Sequence, residues 1–458
     1  MEISKTSIAK FVIIILLALI FFVFLQLKVE RYIFSILASL ILMFFCGILL
    51  YSKDYLNPFI FFFLYSFLGF LDVIFIATGL RSPRTIYSID IYTKTLFIML
   101  LWFVCFTIGY FLYTKFKKND NNVKQSNFKL NDVIMFMFLG IVLTIVIYKV
   151  ASSVNSVGGL YNAFFDDNYQ IFDDQNYLSM MMALCGIIPV VFLRRKNIIM
   201  AIISIIIVFL MISLTKRRSL ALIYSLLPFL TYLNFCVKKI KLRYLLLSVV
   251  PVIAYILYIG SVRGVSSGSS NSNNFIISSL CELTRQVEYG DNIPDVIYNI
   301  EIGKINFQYF NYTFTGIITY IPRAFWPNKP IVESSSIISS LIYVDSSNVA
   351  GHPVGPYGWA YFTFGYTGIV FMGLLTGIIA SWLYNKVKTQ KNLFYSLIYA
   401  YSIVKLLEIF TPEAQFKISF FIIFILFLSL VSSLISIRKS IDLPYKEQIC
   451  NNDGGKLI

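Results

Sequence analysis

Repetition rules out most folds for this chain. Apolar runs with almost no charge recur at 8–27, 32–51, 57–79, 95–114, 132–150, 177–193, 198–214, 220–236, 244–261, 357–384, 393–411 and 416–437. Runs of about 17–25 such residues are what a helix needs to cross a hydrocarbon core roughly 30 Å thick. Inside lipid every backbone N–H and C=O has to be paired within its own segment, so each run reads as a helix. The expected fold is therefore an all-α polytopic membrane protein with about twelve transmembrane helices. Composition adds one exclusion. The chain is 58% hydrophobic and 13% charged, whereas a soluble domain carries about 25% charged residues and has no core able to hide so many uncharged runs. The first run follows a short basic leader (Lys5, Lys10) and has no small-residue cleavage site before the second, so it reads as a retained helix.

Charge orients the spans. With a cytoplasmic N-terminus and alternating sides, the inner segments hold Lys115, Lys117, Lys118, Lys124, Lys129, Arg194, Arg195, Lys196, the stretch Lys238–Arg243, and Lys386, Lys388 and Lys391. The whole net charge of +15 then falls on the inner face and the outer face is neutral, as the positive-inside rule requires. Dropping one span would reverse every later segment. The basic balance thus reports topology and anionic-lipid contact, not nucleic-acid binding. Both termini are expected in the cytoplasm. The layout is nine spans over 1–261, one long extracytoplasmic loop over 262–356, three spans over 357–437 and a cytoplasmic tail over 438–458. No internal repeat and no separate soluble domain is visible.

Two outer segments stand out. Residues 151–176 carry Asp166, Asp167, Asp173 and Asp174 but no Lys or Arg, a pattern of solvated loop acids more than of a cation site. The long loop opens on a Ser/Asn/Gly-rich link over 266–274. Phe275–Tyr289 and Ile293–Ile302 then have the pattern of short amphipathic helices lying on the membrane surface.

Some outer residues break the charge rule, and these are the candidates for chemistry. The turn 215–219 reads Thr-Lys-Arg-Arg-Ser, placing Arg217 and Arg218 at an outward-facing helix N-terminus. Unpaired N–H groups and the helix dipole suit an anion there, and arginine adds bidentate hydrogen bonding to phosphate; headgroup snorkelling is the plainer alternative. Arg263 emerges between Gly260 and Gly264 on the same face. The densest stretch follows, Ile321-Pro322-Arg323-Ala324-Phe325-Trp326-Pro327-Asn328-Lys329-Pro330. Its prolines favour a rigid irregular turn; Arg323 and Lys329 suit phosphates, and Phe325 and Trp326 offer flat faces to a sugar. An interfacial aromatic belt explains the same residues equally well. Nothing in the sequence brings the four arginines together in space.

His352 is the only histidine; it precedes span ten beside Gly355, Gly358, Gly365 and Gly368, at a membrane surface where acid–base work is open to it. Asp72 is an intramembrane acid and a functional candidate on that ground. Lys405 and Glu408, three apart, suit mutual neutralisation. Glu282, Glu288, Asp291, Asp295 and Glu301 are bases in the loop that the sequence does not rank. The six cysteines lie mostly inside spans without CxxC spacing, so neither a disulfide framework nor a metal site is indicated. With no P-loop, HExxH or GxSxG, the residues alone lead to an outer-face site for an anion and a sugar, without cofactor.

At Ile321–Pro330 the chain resembles the oligosaccharide repeat-unit polymerases of O-antigen and capsule synthesis, the Wzy type. These carry Pro-Arg, Trp-Pro and Lys-Pro in a long outer loop, followed by a Gly-rich helix entry like Gly355–Gly368. Leu214–Leu220 matches the family's Ser/Thr-Gly-Ser-Arg turn in part, with Lys216 in place of the glycine, and Val262-Arg263-Gly264 also fits. The resemblance implies a GT-C-like glycosyltransferase in the bacterial cytoplasmic membrane. Its donor and acceptor would be undecaprenyl-pyrophosphate-linked oligosaccharides, and a chain-length regulator and a flippase its pathway partners. It implies Arg217, Arg218, Arg263, Arg323 and Lys329 on the pyrophosphate, Arg323 and His352 in catalysis, and Trp326 and Trp359 against sugar. A related O-antigen ligase and a lipid-linked oligosaccharide flippase are the alternatives; the second needs little outer loop and a polar central path, and neither matches.

Overall fold

A computed structural model describes residues 32–51, 56–116, 130–156, 158–159, 176–213, 226–239, 284, 289–312, 315–321, 325–326, 333–342 and 353–452. Among them there are helices and turns and no strand. Five helices are long and apolar enough to cross a membrane: Pro58–Ala77, Ile89–Thr114, Asp132–Ser156, Gly355–Gln390 and Pro412–Ile435. Shorter apolar helices occupy Ile33–Leu42, Met180–Arg194, Ile198–Met211, Leu226–Val237 and Leu393–Ile403. The expected spans 8–27 and 244–261 lie outside the described residues. The surface is the reverse of a soluble protein's: Ile33, Phe111, Met137, Ile141, Tyr148, Ile199 and Leu430 are all exposed, as suits contact with lipid.

The chain divides into two compact units. The first comprises Met1–Asn121, Lys241–Asn385 and Ile403–Ile418; the second comprises Asn122–Ile240, Lys386–Ser402 and Ser419–Ile458.

In the first unit, Pro58–Ala77 begins where Asn57 accepts the Phe59 N–H at 3.0 Å, with Pro58 at the position that needs no donor. It ends at Gly79, whose φ of 71° turns the chain back so that Arg81 N–H reaches the Phe75 carbonyl at 3.0 Å. Tyr32–Tyr51 and Ile89–Phe116 pack beside it. The core is aromatic: Trp102 stacks on Phe106 at 5.6 Å and meets Tyr357 edge-on at 5.2 Å. Gly373 and Gly377, one GxxxG pair, lie against the backbone of Trp102 and Phe106, and Gly109 lies against that of Leu374. Only glycine allows helices to approach this closely.

The helix Gly355–Gln390 is broken at Gly365 (φ 62°, ψ −142°). The break frees the Phe362 and Thr363 carbonyls, which accept from Gln308 N–H at 3.1 Å and Tyr309 N–H at 2.7 Å. The expected surface helix at Ile293–Ile302 forms as Tyr289–Glu301, but it does not lie on a lipid surface. It is buried against Pro58–Ala77, Ile89–Phe116 and Ser334–Ile342, because its acids are matched by Arg81, Tyr87 and Lys94. Most of Phe275–Tyr289 lies outside the described residues.

In the second unit, the span expected over 177–193 is divided into Asn176–Cys185 and Ile188–Arg194. Pro189 has no N–H with which to continue the ladder. Arg194 binds Asp132 at 2.5 Å and the Leu130 carbonyl at 3.2 Å, the Arg195 guanidinium covers the Phe136 ring at 4.6 Å, and Asn131 N–H donates to Ser432 at 3.0 Å. Tyr401 donates to the Ala183 carbonyl at 2.8 Å and stacks on Phe421.

Segments that charge counting assigns to one side of the membrane meet each other. In the first unit these are the turn after Pro58–Ala77, the described part of the long loop, and the turn before Pro412. In the second, Leu130–Asp132, Arg194–Arg195 and Ser432 meet in the same way.

Candidate functional site

The polar end of the first unit is built on three anchors, each joining the long loop to a membrane helix. The first is ionic. Asp72 and Asp291 flank Arg81: Asp72 Oδ1 pairs with one guanidinium nitrogen and Asp291 Oδ2 with the other, the latter at 2.5 Å. Asp72 Oδ2 accepts Gly290 N–H at 2.8 Å, and Asp291 Oδ1 accepts Arg84 N–H at 2.9 Å. All three side chains are buried. Asp72 therefore caps the N-terminus of Tyr289–Glu301 from another helix, where an anion also meets the favourable end of the dipole. Burial alone would pull the Arg81 guanidinium down; Asp72 and then Asp291 more than reverse this and keep it charged. Further along the loop helix, Tyr87 donates to Asp295 at 2.5 Å and Lys94 pairs with Glu301.

The second anchor is aromatic and deeper. Tyr289 donates to Tyr65 at 3.0 Å, Tyr65 to Glu408 Oε1 at 3.1 Å, and Lys405 to Glu408 Oε2 at 2.6 Å. Beside this chain Tyr357 bonds Ser66. Tyr65 and Ser66 are near the middle of Pro58–Ala77, about 16 Å from its loop end at 1.5 Å per residue. The turn after Leu393–Leu406, which contains Glu408, therefore sits well below the end of the neighbouring helix, and loop side chains fill the space above it. The span expected over 393–411 stops at Leu406 because the turn before Pro412 cannot remain helical. Burial, then Tyr65 and Glu408, hold the Tyr289 phenol well above its ordinary range, so it remains a neutral donor.

The third anchor is Glu413, in the first turn of Pro412–Asn452. Its Oε1 accepts Ser334 N–H at 2.6 Å and Ser334 Oγ–H at 2.7 Å, capping the loop helix Ser334–Ile342. Its Oε2 is buried and has no hydrogen-bond partner among the described residues. Three residues along, Phe416 meets the Tyr320 ring edge-on at 4.9 Å and takes the Tyr320 hydroxyl on its carbonyl at 3.1 Å. Gly316 lies against the Pro412 carbonyl and Gln415, with no room for a side chain. Tyr320 and Ser334, which flank the Pro322–Pro330 motif in sequence, are thus held against one helical turn.

Several expected residues lie outside the described set: Arg217, Arg218, Arg263, Arg323, Lys329 and His352. Their described neighbours can be placed. Trp326 and Phe325 are exposed, at 39% and 83%, which leaves ring faces open to a ligand. Next to His352, the Pro353 carbonyl accepts Asn292 Nδ2–H at 2.9 Å, while the buried Asn292 Oδ1 has no partner. Trp359 requires a correction. It is 1% exposed, with its indole N–H on the Phe410 carbonyl at 2.9 Å, so it is a core ring with no face left for a sugar. Asp72, Asp291, Asp295 and Glu301 are committed to the loop anchors, and Glu408 to Lys405 and Tyr65.

Sequence reasoning passed over Arg81 and Glu413. The signal for Arg81 was present, since charge counting makes it another cation on the face expected to lack them. Glu413 gave no signal beyond an acid after proline at a helix start. Among the described residues no three His, Cys, Asp or Glu gather closely enough to hold a metal ion.

A sequence model of the family described as "Putative O-antigen polymerase" matches residues 54–409, most of the chain. No curated protein and no solved structure matches it.

Proposed function

The chain belongs to the O-antigen polymerase family, and on that footing we propose how its residues divide the work. The family makes it a multi-pass membrane enzyme of the polymerising glycosyltransferase type, acting on lipid-linked oligosaccharides. In our reading it has about twelve spans in a GT-C-like arrangement and works on the outer face of the bacterial cytoplasmic membrane. The donor glycan leaves undecaprenyl pyrophosphate and joins the non-reducing end of a second lipid-linked unit. Arg217, Arg218, Arg263, Arg323 and Lys329 stabilise the pyrophosphate as its charge develops, the task for which fixed cations and helix N-termini are most effective. His352 serves acid–base chemistry and Trp326 stacks against sugar. A flippase delivers the substrate and a chain-length regulator sets its extent.

The observation that carries this reading is the bracketing of Pro322–Pro330. Tyr320 and Ser334, which flank in sequence the motif that bears the family resemblance, are held on one helical turn, Tyr320 by Phe416 and Ser334 by Glu413. Cells carrying Arg323→Ala or Arg263→Ala are expected to make single-unit glycan in place of long chains. Polymer of normal length from stably expressed variants would overturn the assignment. Purified protein reconstituted with a lipid-linked repeat unit is expected to give a ladder of product sizes.

A further inference from the structure

The acceptor in such a transfer is a sugar hydroxyl, and a hydroxyl attacks a glycosyl carbon faster when a positioned base removes its proton. Most described acids of the first unit are already engaged. Asp72 and Asp291 hold Arg81, Asp295 holds Tyr87, Glu301 holds Lys94, and Glu408 holds Lys405 and Tyr65. Glu413 differs in one atom. Oε1 completes the cap of Ser334–Ile342, whereas Oε2 is buried and has no partner among the described residues. A buried carboxylate oxygen without a donor is costly to maintain, and capping needs only the other one. Its position adds the second argument. It stands on the turn that holds Tyr320 and Ser334, which flank the Pro-Arg, Trp-Pro, Lys-Pro segment in sequence, and the Gly316 backbone comes into direct contact with the same helix.

We propose that Glu413 Oε2, in place of His352, is the base that takes the acceptor's hydroxyl proton. The inference rests on the polymerase reading above. In the step, the acceptor oxygen forms a bond to the anomeric carbon of the donor sugar. The bond from that carbon to the pyrophosphate oxygen breaks, and the electron pair leaves with the pyrophosphate. The hydroxyl proton passes to Glu413. Ser334 holds the carboxylate in place from the other side, so it is a positioning residue.

The test uses full-length protein in liposomes with a purified lipid-linked repeat unit. Glu413→Gln keeps an acceptor for Ser334 and removes the base; it is expected to lower turnover by about 10²-fold or more with KM little changed. Ser334→Ala is expected to lower it only a few-fold. Wild-type turnover in Glu413→Gln, or equal losses in the two variants, would overturn the proposal in favour of anchoring alone. A second measurement needs no variant. Dicyclohexylcarbodiimide, which modifies carboxyl groups in apolar surroundings, should label wild-type Glu413 and abolish the ladder, with the lipid-linked unit protecting against both. Absence of the adduct, or an adduct that leaves activity intact, counts against it. If wild-type protein makes no ladder at all, it is the polymerase reading that fails.

Discussion

Asp72 and Glu413 do the same structural job at two places and are left in different states. Each is a carboxylate on a membrane helix that caps a short helix of the long loop, Gly290 N–H at 2.8 Å in one case and Ser334 N–H at 2.6 Å in the other. Asp72 has its second oxygen on a buried arginine, and that arginine is shared with Asp291. Glu413 has its second oxygen on nothing among the described residues. A buried charge is tolerated when it is paired and bonded, and a closed network of that kind fixes geometry without reactivity. The difference separates an acid that holds the loop from one that holds the loop and has a lone pair to offer.

The largest expected effect comes from breaking the closed side. Arg81→Met leaves Asp72 and Asp291 facing each other without a cation. The cost expected for opening a buried pair is about 3–5 kcal/mol, read as a lower melting temperature in detergent and less protein in the membrane. Adding Asp72→Asn and Asp291→Asn should restore most of it. If Arg81→Met melts like the wild type, the ionic anchor is not what holds Tyr289–Glu301.

A smaller loss is expected from Gly290→Ala. Its Cβ would come 2.8 Å from Ile76 Cδ1 and 3.0 Å from the Asp72 carbonyl, so the cap must shift, at about 1–3 kcal/mol. That variant keeps all three charged side chains and strains the cap that Asp72 makes. The smallest effect is expected at the exposed pair of the same helix. Lys94→Ala removes a partner of Glu301 where the two side chains are 29% and 38% exposed, and the melting shift should correspond to no more than about 1 kcal/mol.

Much of the scaffold could be read in advance because crossing a membrane leaves its mark locally. An uncharged run of sufficient length is a helix wherever it lies, and loop charge orients it. Segments that charge counting puts on one side are in contact: Arg81 after Ala77 meets Asp291 of the long loop, and Ser334 of the loop meets Glu413. The misreadings have physical causes. Leu393–Leu406 and Asn176–Cys185 stop early because of a proline a few residues on. Ile293–Ile302 shows a polar face that suits water and charged partners equally well, and Asp72, Arg81 and Tyr87 turn out to be the partners. Trp359 sits among the glycines of a motif that suggests ligand contact, but its N–H found the Phe410 carbonyl. Glu413 could not be singled out, because an unpartnered oxygen is a property of everything that surrounds it.

The break at Gly365 bears on how the protein is made. A helix interrupted inside lipid leaves carbonyls that hydrocarbon cannot solvate, and here Gln308 and Tyr309 close the gap at 3.1 and 2.7 Å. Both donors precede the helix they repair by about fifty residues, so they leave the ribosome first, since synthesis runs from the N-terminus. By the time Phe362 and Thr363 emerge, the groups that satisfy them have already been made, and the seam can close as the interrupted helix forms.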